Sequence, residues 1–75
     1  MPSRHPVLTA FGRNVRKCRE SRDLTQEALA EKADLDQTYV SGIERGVRNP
    51  GIMNVARIAK ALGITTSELC QDLER

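Results

Sequence analysis

From Leu8 onward the apolar residues Leu8, Phe11, Val15 and Cys18 step by three, four and three, the spacing of one helical face over about residues 7 to 22. Thr25 stands before Gln-Glu-Ala-Leu-Ala, where its hydroxyl can accept a free backbone N–H of a first turn, and Leu29, Ala30 and Ala33 make the inner face of a second helix. Asp36 caps a short third helix over about Gln37 to Arg45, with Val40 and Ile43 inward and Gly46 as the glycine that ends it. Asn49-Pro50-Gly51 breaks the chain, after which Ile52, Val55, Ile58, Ala59 and Leu62 restore the helical spacing as far as Gly63. Thr65 with Glu68 three residues on is a capping box, which predicts a fifth helix over about Thr66 to Leu73. No segment reads as a strand or a repeat. The expected fold is all-α, five short helices in one compact domain over residues 7–75, preceded by an aperiodic, flexible arm at residues 1–6.

Length adds a constraint. A chain of 75 residues buries only about 60% of its unfolded surface, which leaves a thin core that a second subunit would support. Cys18 and Cys70 lie far apart, without a CxxC or clustered histidines, so neither a disulfide scaffold nor a metal site is expected. No apolar signal segment follows Met1, and no apolar run approaches the roughly 20 residues needed to cross a bilayer. The reading is a reduced cytoplasmic protein with no membrane partner.

The net charge of +2 says little, but its distribution says more. Residues 1–22 carry Arg4, Arg13, Arg16, Lys17, Arg19 and Arg22 against Glu20, and residues 45–60 carry Arg45, Arg48, Arg57 and Lys60 with no acid. Between these basic blocks lie Asp23, Glu27, Glu31, Asp34, Asp36 and Glu44 with Lys32 as the sole base. Charge alone would therefore not select the central block as a nucleic-acid surface.

Packing does select it. Ala30 and Ala33 are small where two steeply crossing helices need close approach, and Val40 and Ile43 lock the third helix onto the second. The opposite side of the third helix then presents Gln37, Thr38, Ser41 and Gly42, short groups for which a core has no use. Such a face suits the major groove of DNA.

The segments Leu24-Thr25-Gln26-Glu27-Ala28-Leu29-Ala30, Tyr39-Val40-Ser41-Gly42-Ile43-Glu44-Arg45-Gly46, Asn49-Pro50 and Ile58-Ala59-Lys60-Ala61-Leu62-Gly63 resemble the Cro and lambda-type repressor family, the Xre-like helix-turn-helix proteins. The likeness spans roughly residues 8 to 70 and implies a sequence-specific, double-stranded DNA-binding transcription regulator with a lambda-repressor-like fold. The stretch Asp34 to Pro50 is most similar to the controller proteins of restriction-modification systems, which commonly carry arginine where this chain has Gln37. Asp34 stands where the family often uses a left-handed glycine, a backbone region that aspartate tolerates better than most residues. The resemblance also implies a buried pair between Arg19 and Glu44 behind the third helix.

Each candidate carries an alternative. The Gln37 amide can donate and accept together, matching adenine N6 and N7, or it is a solvated residue at a helix start. Thr38 can offer its methyl to thymine and its hydroxyl to a base or phosphate, or bond its own backbone. Glycine inside a short helix costs about 1 kcal/mol against alanine, so Gly42 asks for a reason, either approach to DNA beside Ser41 or helix packing. Gln26, with the free N–H groups at the start of its helix, can hold a phosphate. The resemblance places Tyr39, Arg45, Arg48 and Asn49 along the connection after the third helix, near the DNA backbone or base edges, against ordinary surface polarity. Arg13, Arg16 and Lys17 can reach phosphates or form a solvated face.

Leu69, Cys70 and Leu73 exceed what a short terminal helix must bury, which suggests a homodimer interface, or else completion of the protomer core. The sequence contains no nucleophile with a paired base, no phosphate loop and no evident small-molecule pocket, so no enzyme and no cofactor is expected. The competing class is a protein-interaction module such as an antitoxin or a transcriptional bridging factor.

Overall fold

The computed structural model describes residues 5–74. Its elements are α1 (Pro6–Ser21), α2 (Gln26–Ala33), α3 (Gln37–Glu44), α4 (Ile52–Leu62) and α5 (Thr66–Leu69), with no strand among the described residues. Residues 1–4 of the expected arm lie outside the described residues, and Pro6 belongs to α1 rather than to an arm. Proline suits that first helical position, where its missing N–H has no intrahelical acceptor.

The caps fall where the side chains can make them. Thr25 accepts from the Ala28 N–H, Asp36 from the Thr38 N–H, and Thr65 and Glu68 bond each other's backbone N–H groups. Four helices end in the same way, with a left-handed residue that lets the next N–H return to a carbonyl five residues back. Aspartates fill that position after α1 and α2, Asp23 at φ 56° and Asp34 at φ 58°, and Gly46 and Gly63 fill it after α3 and α4. These tight stops aim each helix across its predecessor.

α2 and α3 pack on each other, α1 crosses α3 from behind, and α4 closes against α2. The core gathers Phe11, Val15, Leu29, Ala30, Ala33, Val40, Ile43, Val55, Ile58, Ala59, Leu62 and Leu69. Truncating a fully buried member such as Leu29 to alanine costs about 2–5 kcal/mol. At Gly12 α1 approaches α3 closely: a β-carbon there would lie 2.4 Å from the Ile43 carbonyl oxygen and 2.6 Å from that of Glu44.

The fifth helix is shorter than the sequence implies, ending at Leu69 instead of Leu73. Asn14 explains this, because its Nδ2 donates to the carbonyls of Leu69 and Gln71, each at 2.8 Å. In a longer helix the Leu69 carbonyl would accept from residue 73, so the side chain from α1 replaces the next turn. Leu69 is also fully buried, which corrects its assignment to a dimer interface: it completes the protomer core.

Candidate nucleic-acid interface

The helix-turn-helix is clamped from behind by one ionic cluster. Arg19 Nε donates to Glu44 Oε2 at 2.7 Å, Arg19 Nη2 to Glu44 Oε1 at 3.0 Å, and Arg19 Nη1 to the Leu24 carbonyl at 2.8 Å. The Glu44 side chain is 3% exposed and that of Arg19 12%, so removing either leaves a buried charge unpaired, at about 3–5 kcal/mol. The hydrogen bond to Glu44 raises the Arg19 pKa further above its ordinary value, against the opposing effect of burial. The cluster joins α1 and the α1–α2 turn to the last residue of α3, which fixes the angle of α3.

On the outer side of α3, Gln37 and Thr38 are exposed and Ser41 is half-buried one turn on. Among the described residues, none of their side-chain polar groups is engaged by another group of the chain. Gln37 sits at the mouth of a notch between α2 and α3, beside Glu27, Glu31 and Asp36. Those carboxylates repel a phosphate backbone, so attraction at this edge has to come from specific hydrogen bonds and from the cations farther along.

Gly42 is buried, and this corrects its place among the base-contacting residues. The Arg48 side chain lies over it: a β-carbon on Gly42 would come within 2.6 Å of Arg48 Cγ. Glycine is there because the stem of Arg48 packs directly on the α3 backbone. Arg48 itself remains exposed. Arg45 goes elsewhere, lining an open cleft with Thr9, Arg13, Arg16 and Val47 at the side of α1. Arg16 is partly neutralised there by Glu20 at 3.1 Å. Asn49 is exposed next to Pro50.

Two further residues acquire partners that spacing did not reveal. Gln26, half-buried at the start of α2, donates from Nε2 to Glu44 Oε1 at 2.9 Å. The Tyr39 hydroxyl accepts from Asn54 Nδ2 at 3.1 Å, which leaves its own proton free to be donated outward. Asn54, on the first turn of α4, was not among the sequence candidates because nothing in the pattern ties it to α3. Its polar type at a helical position between Ile52 and Val55 was the only signal.

The exposed apolar residues also differ from expectation. Cys70 and Leu73 are half-buried and line a narrow apolar cleft with Val7, Leu8, Phe11, Pro50 and Val55. The large apolar side chains left in solvent are instead Val47, Ile52 and Met53, at 59%, 73% and 71% exposure. Among the described residues no cluster of His, Cys, Asp and Glu could hold a metal ion, and no helix is long and apolar enough to cross a membrane.

An α2–turn–α3 unit clamped from behind, with a polar outer edge, is the arrangement of a helix-turn-helix DNA-binding protein. A helix-turn-helix family model, HTH_3, matches residues 15–69, and the chain belongs to that family. It is 48% identical over 70 residues to the control protein C.MunI from Mycoplasma sp, covering 92% of this chain and 95% of that protein. It is 47% identical over 64 residues to the control protein C.BamHI from Bacillus amyloliquefaciens, covering 84% and 79%. Among solved structures, the restriction-modification controller protein C.AhdI from Aeromonas hydrophila superposes with a TM-score of 0.82 at 44% identity, over 83% of this chain and 94% of that one. The chain is a DNA-binding transcription regulator of the Xre-like type, similar to restriction-modification controllers.

Proposed function

We propose that this protein controls a restriction-modification system by binding, as a cytoplasmic homodimer, a pseudo-palindromic operator read by α3. The observation that carries the reading is the row of unengaged polar side chains at Gln37, Thr38 and Ser41 on a helix whose other side is locked to α1 and α2. Gln37 and Thr38 serve as base readers, Ser41 lies one turn farther along the groove, and Gln26, Tyr39, Arg48 and Asn49 hold the flanking backbone. Arg45, with Arg13 and Arg16, meets phosphates farther out.

Two copies are required because a two-turn helix touches only a few base pairs, too few to single out one site among about 10⁶ or more competitors. The surface best suited to the two-fold contact is the start of α4, where Ile52 and Met53 stand in solvent and no charge occurs between Arg48 and Arg57. A two-fold contact brings each patch against its own copy, and an uncharged patch does so without like-charge repulsion. Pro50, also on the apolar cleft of Cys70 and Leu73, links that cleft to this face, which keeps both residues at its edge. Sedimentation at micromolar concentration tests the arrangement. The wild type should be a dimer, and Met53→Asp a folded monomer with sharply weaker operator binding. A monomeric wild type that saturates its footprint with one protomer would remove both the dimer and the palindrome.

A further inference from the structure

We infer that Glu44, besides pairing with Arg19, is a positioning residue for the DNA backbone contact of Gln26, an inference that rests on the DNA-binding reading above. Glu44 Oε1 accepts from both Arg19 Nη2 and Gln26 Nε2, at 3.0 and 2.9 Å, while Oε2 accepts from Arg19 Nε. An ionised carboxylate can only accept, so the Gln26 amide is turned with its nitrogen toward Glu44. That nitrogen carries a second N–H, and Gln26 is half-buried as the first residue of α2.

The consequence is polarity. A free glutamine presents its carbonyl oxygen to an approaching phosphate as readily as its N–H, and oxygen against phosphate is repulsive. Held by Glu44, the amide offers the remaining N–H, next to the backbone N–H groups that the start of α2 leaves without intrahelical partners. Arg19 makes this workable, because its guanidinium neutralises the Glu44 carboxylate that would otherwise repel the same phosphate. The last residue of the reading helix and the first residue of the helix before it are thus joined through one buried carboxylate. The phosphate contact and the angle of α3 are set together.

The test measures affinity for one cognate duplex with the wild type, Gln26→Ala, Glu44→Gln and the double variant, each over a salt series. Gln26→Ala should weaken binding about tenfold or more, the scale of a hydrogen bond to a charged group, with an unchanged salt slope because no cation is lost. Glu44→Gln should weaken it at least as much, because the hold of Arg19 on α3 is loosened as well, and adding Gln26→Ala to it should cause no further loss. Independent, multiplying losses, or no loss with Gln26→Ala, overturn the inference while leaving DNA binding intact. A wild type that binds no duplex overturns the DNA-binding reading and the inference with it. If Glu44→Gln does not fold, ¹⁵N relaxation of the Gln26 side-chain amide in the free wild type decides. An ordered amide supports the positioning role, and a freely rotating one excludes it.

Discussion

Alanine at Gly12 and alanine at Gly42 add the same methyl group to two helices that cross behind the reading edge, and the structure assigns them opposite consequences. At Gly12 the new β-carbon would lie 2.4 Å from the Ile43 oxygen, 2.6 Å from the Glu44 oxygen and 2.9 Å from the Glu44 carbonyl carbon. All three are backbone atoms at the end of α3, so the clash is relieved only by moving α1 off α3. Overpacking of this kind costs about 1–3 kcal/mol and occasionally more. The gain in helix propensity, about 1 kcal/mol, does not offset it. At Gly42 the nearest atoms are Arg48 Cγ at 2.6 Å, Nε at 3.5 Å and Cδ at 3.6 Å, all in one exposed, flexible side chain. Cγ lies near the root of that side chain, so relief needs a χ1 rotation that lifts the Arg48 stem off α3. Gly42→Ala should therefore change stability little, a helix-propensity gain of up to about 1 kcal/mol being set against the lost packing of the stem. Its operator affinity should nevertheless fall toward that of Arg48→Ala, because the arginine has lost its seat. Urea denaturation gives the stabilities, and fluorescence anisotropy on a labelled duplex gives the affinities. If Gly42→Ala is as destabilised as Gly12→Ala yet binds like the wild type, Gly42 serves helix packing alone and the seat for Arg48 does not exist.

Gln37→Ala should cost about 1–3 kcal/mol on the cognate site and relax base preference, while non-specific affinity and fold stay intact. Unchanged discrimination between cognate and scrambled duplexes would take Gln37 off the reading edge. Arg48→Ala should lower the salt slope of binding by about one per protomer, about two for the dimer, and a loss confined to one base position would make Arg48 a base reader instead. Hydrogen bonds from the backbone and then the hydroxyl of Thr65 lower the Glu68 pKa. A carboxylate with a depressed folded pKa adds stability that is present above its unfolded pKa and lost as pH falls through the folded one. Stability should therefore decline as pH drops below about 4.3, the ordinary glutamate value, and Glu68→Gln, which keeps the capping geometry, should flatten that decline in acid unfolding curves.

Local chemistry was the part of this fold that the sequence disclosed. Thr25, Asp36 and the Thr65–Glu68 pair cap helices through bonds spanning two or three residues, and a short window contains all of them. The Arg19–Glu44 pair spans 25 residues and became readable through family resemblance, since no local pattern links an arginine in α1 to a glutamate in α3. The sequence does not show where α5 ends, because Asn14, 55 residues away, takes the Leu69 carbonyl. The same packing draws Leu69 into the core. The exposure of Gln37 and Thr38 follows from the helix period, but the burial of Gly42 does not. Whether a glycine faces a base or an arginine stem depends on the loop after α3, and the path of that loop follows from Gly46 turning the chain back over the helix. Ile52 belongs by spacing to the apolar face of the fourth helix yet is exposed, because periodicity does not distinguish the apolar residues a core covers from those it leaves in solvent.

In the proposed complex α3, presented twice, reads a defined DNA sequence. Selection of bound duplexes from a random pool, using the full chain at physiological salt, tests this most directly. The expected result is enrichment of a pseudo-palindrome whose half-sites are centred about 34 Å apart, one DNA turn, with an adenine preference at the position that Gln37→Ala relaxes. A pool that emerges without enrichment would contradict the claim and move the chain to the class of helix-turn-helix proteins that bind other proteins.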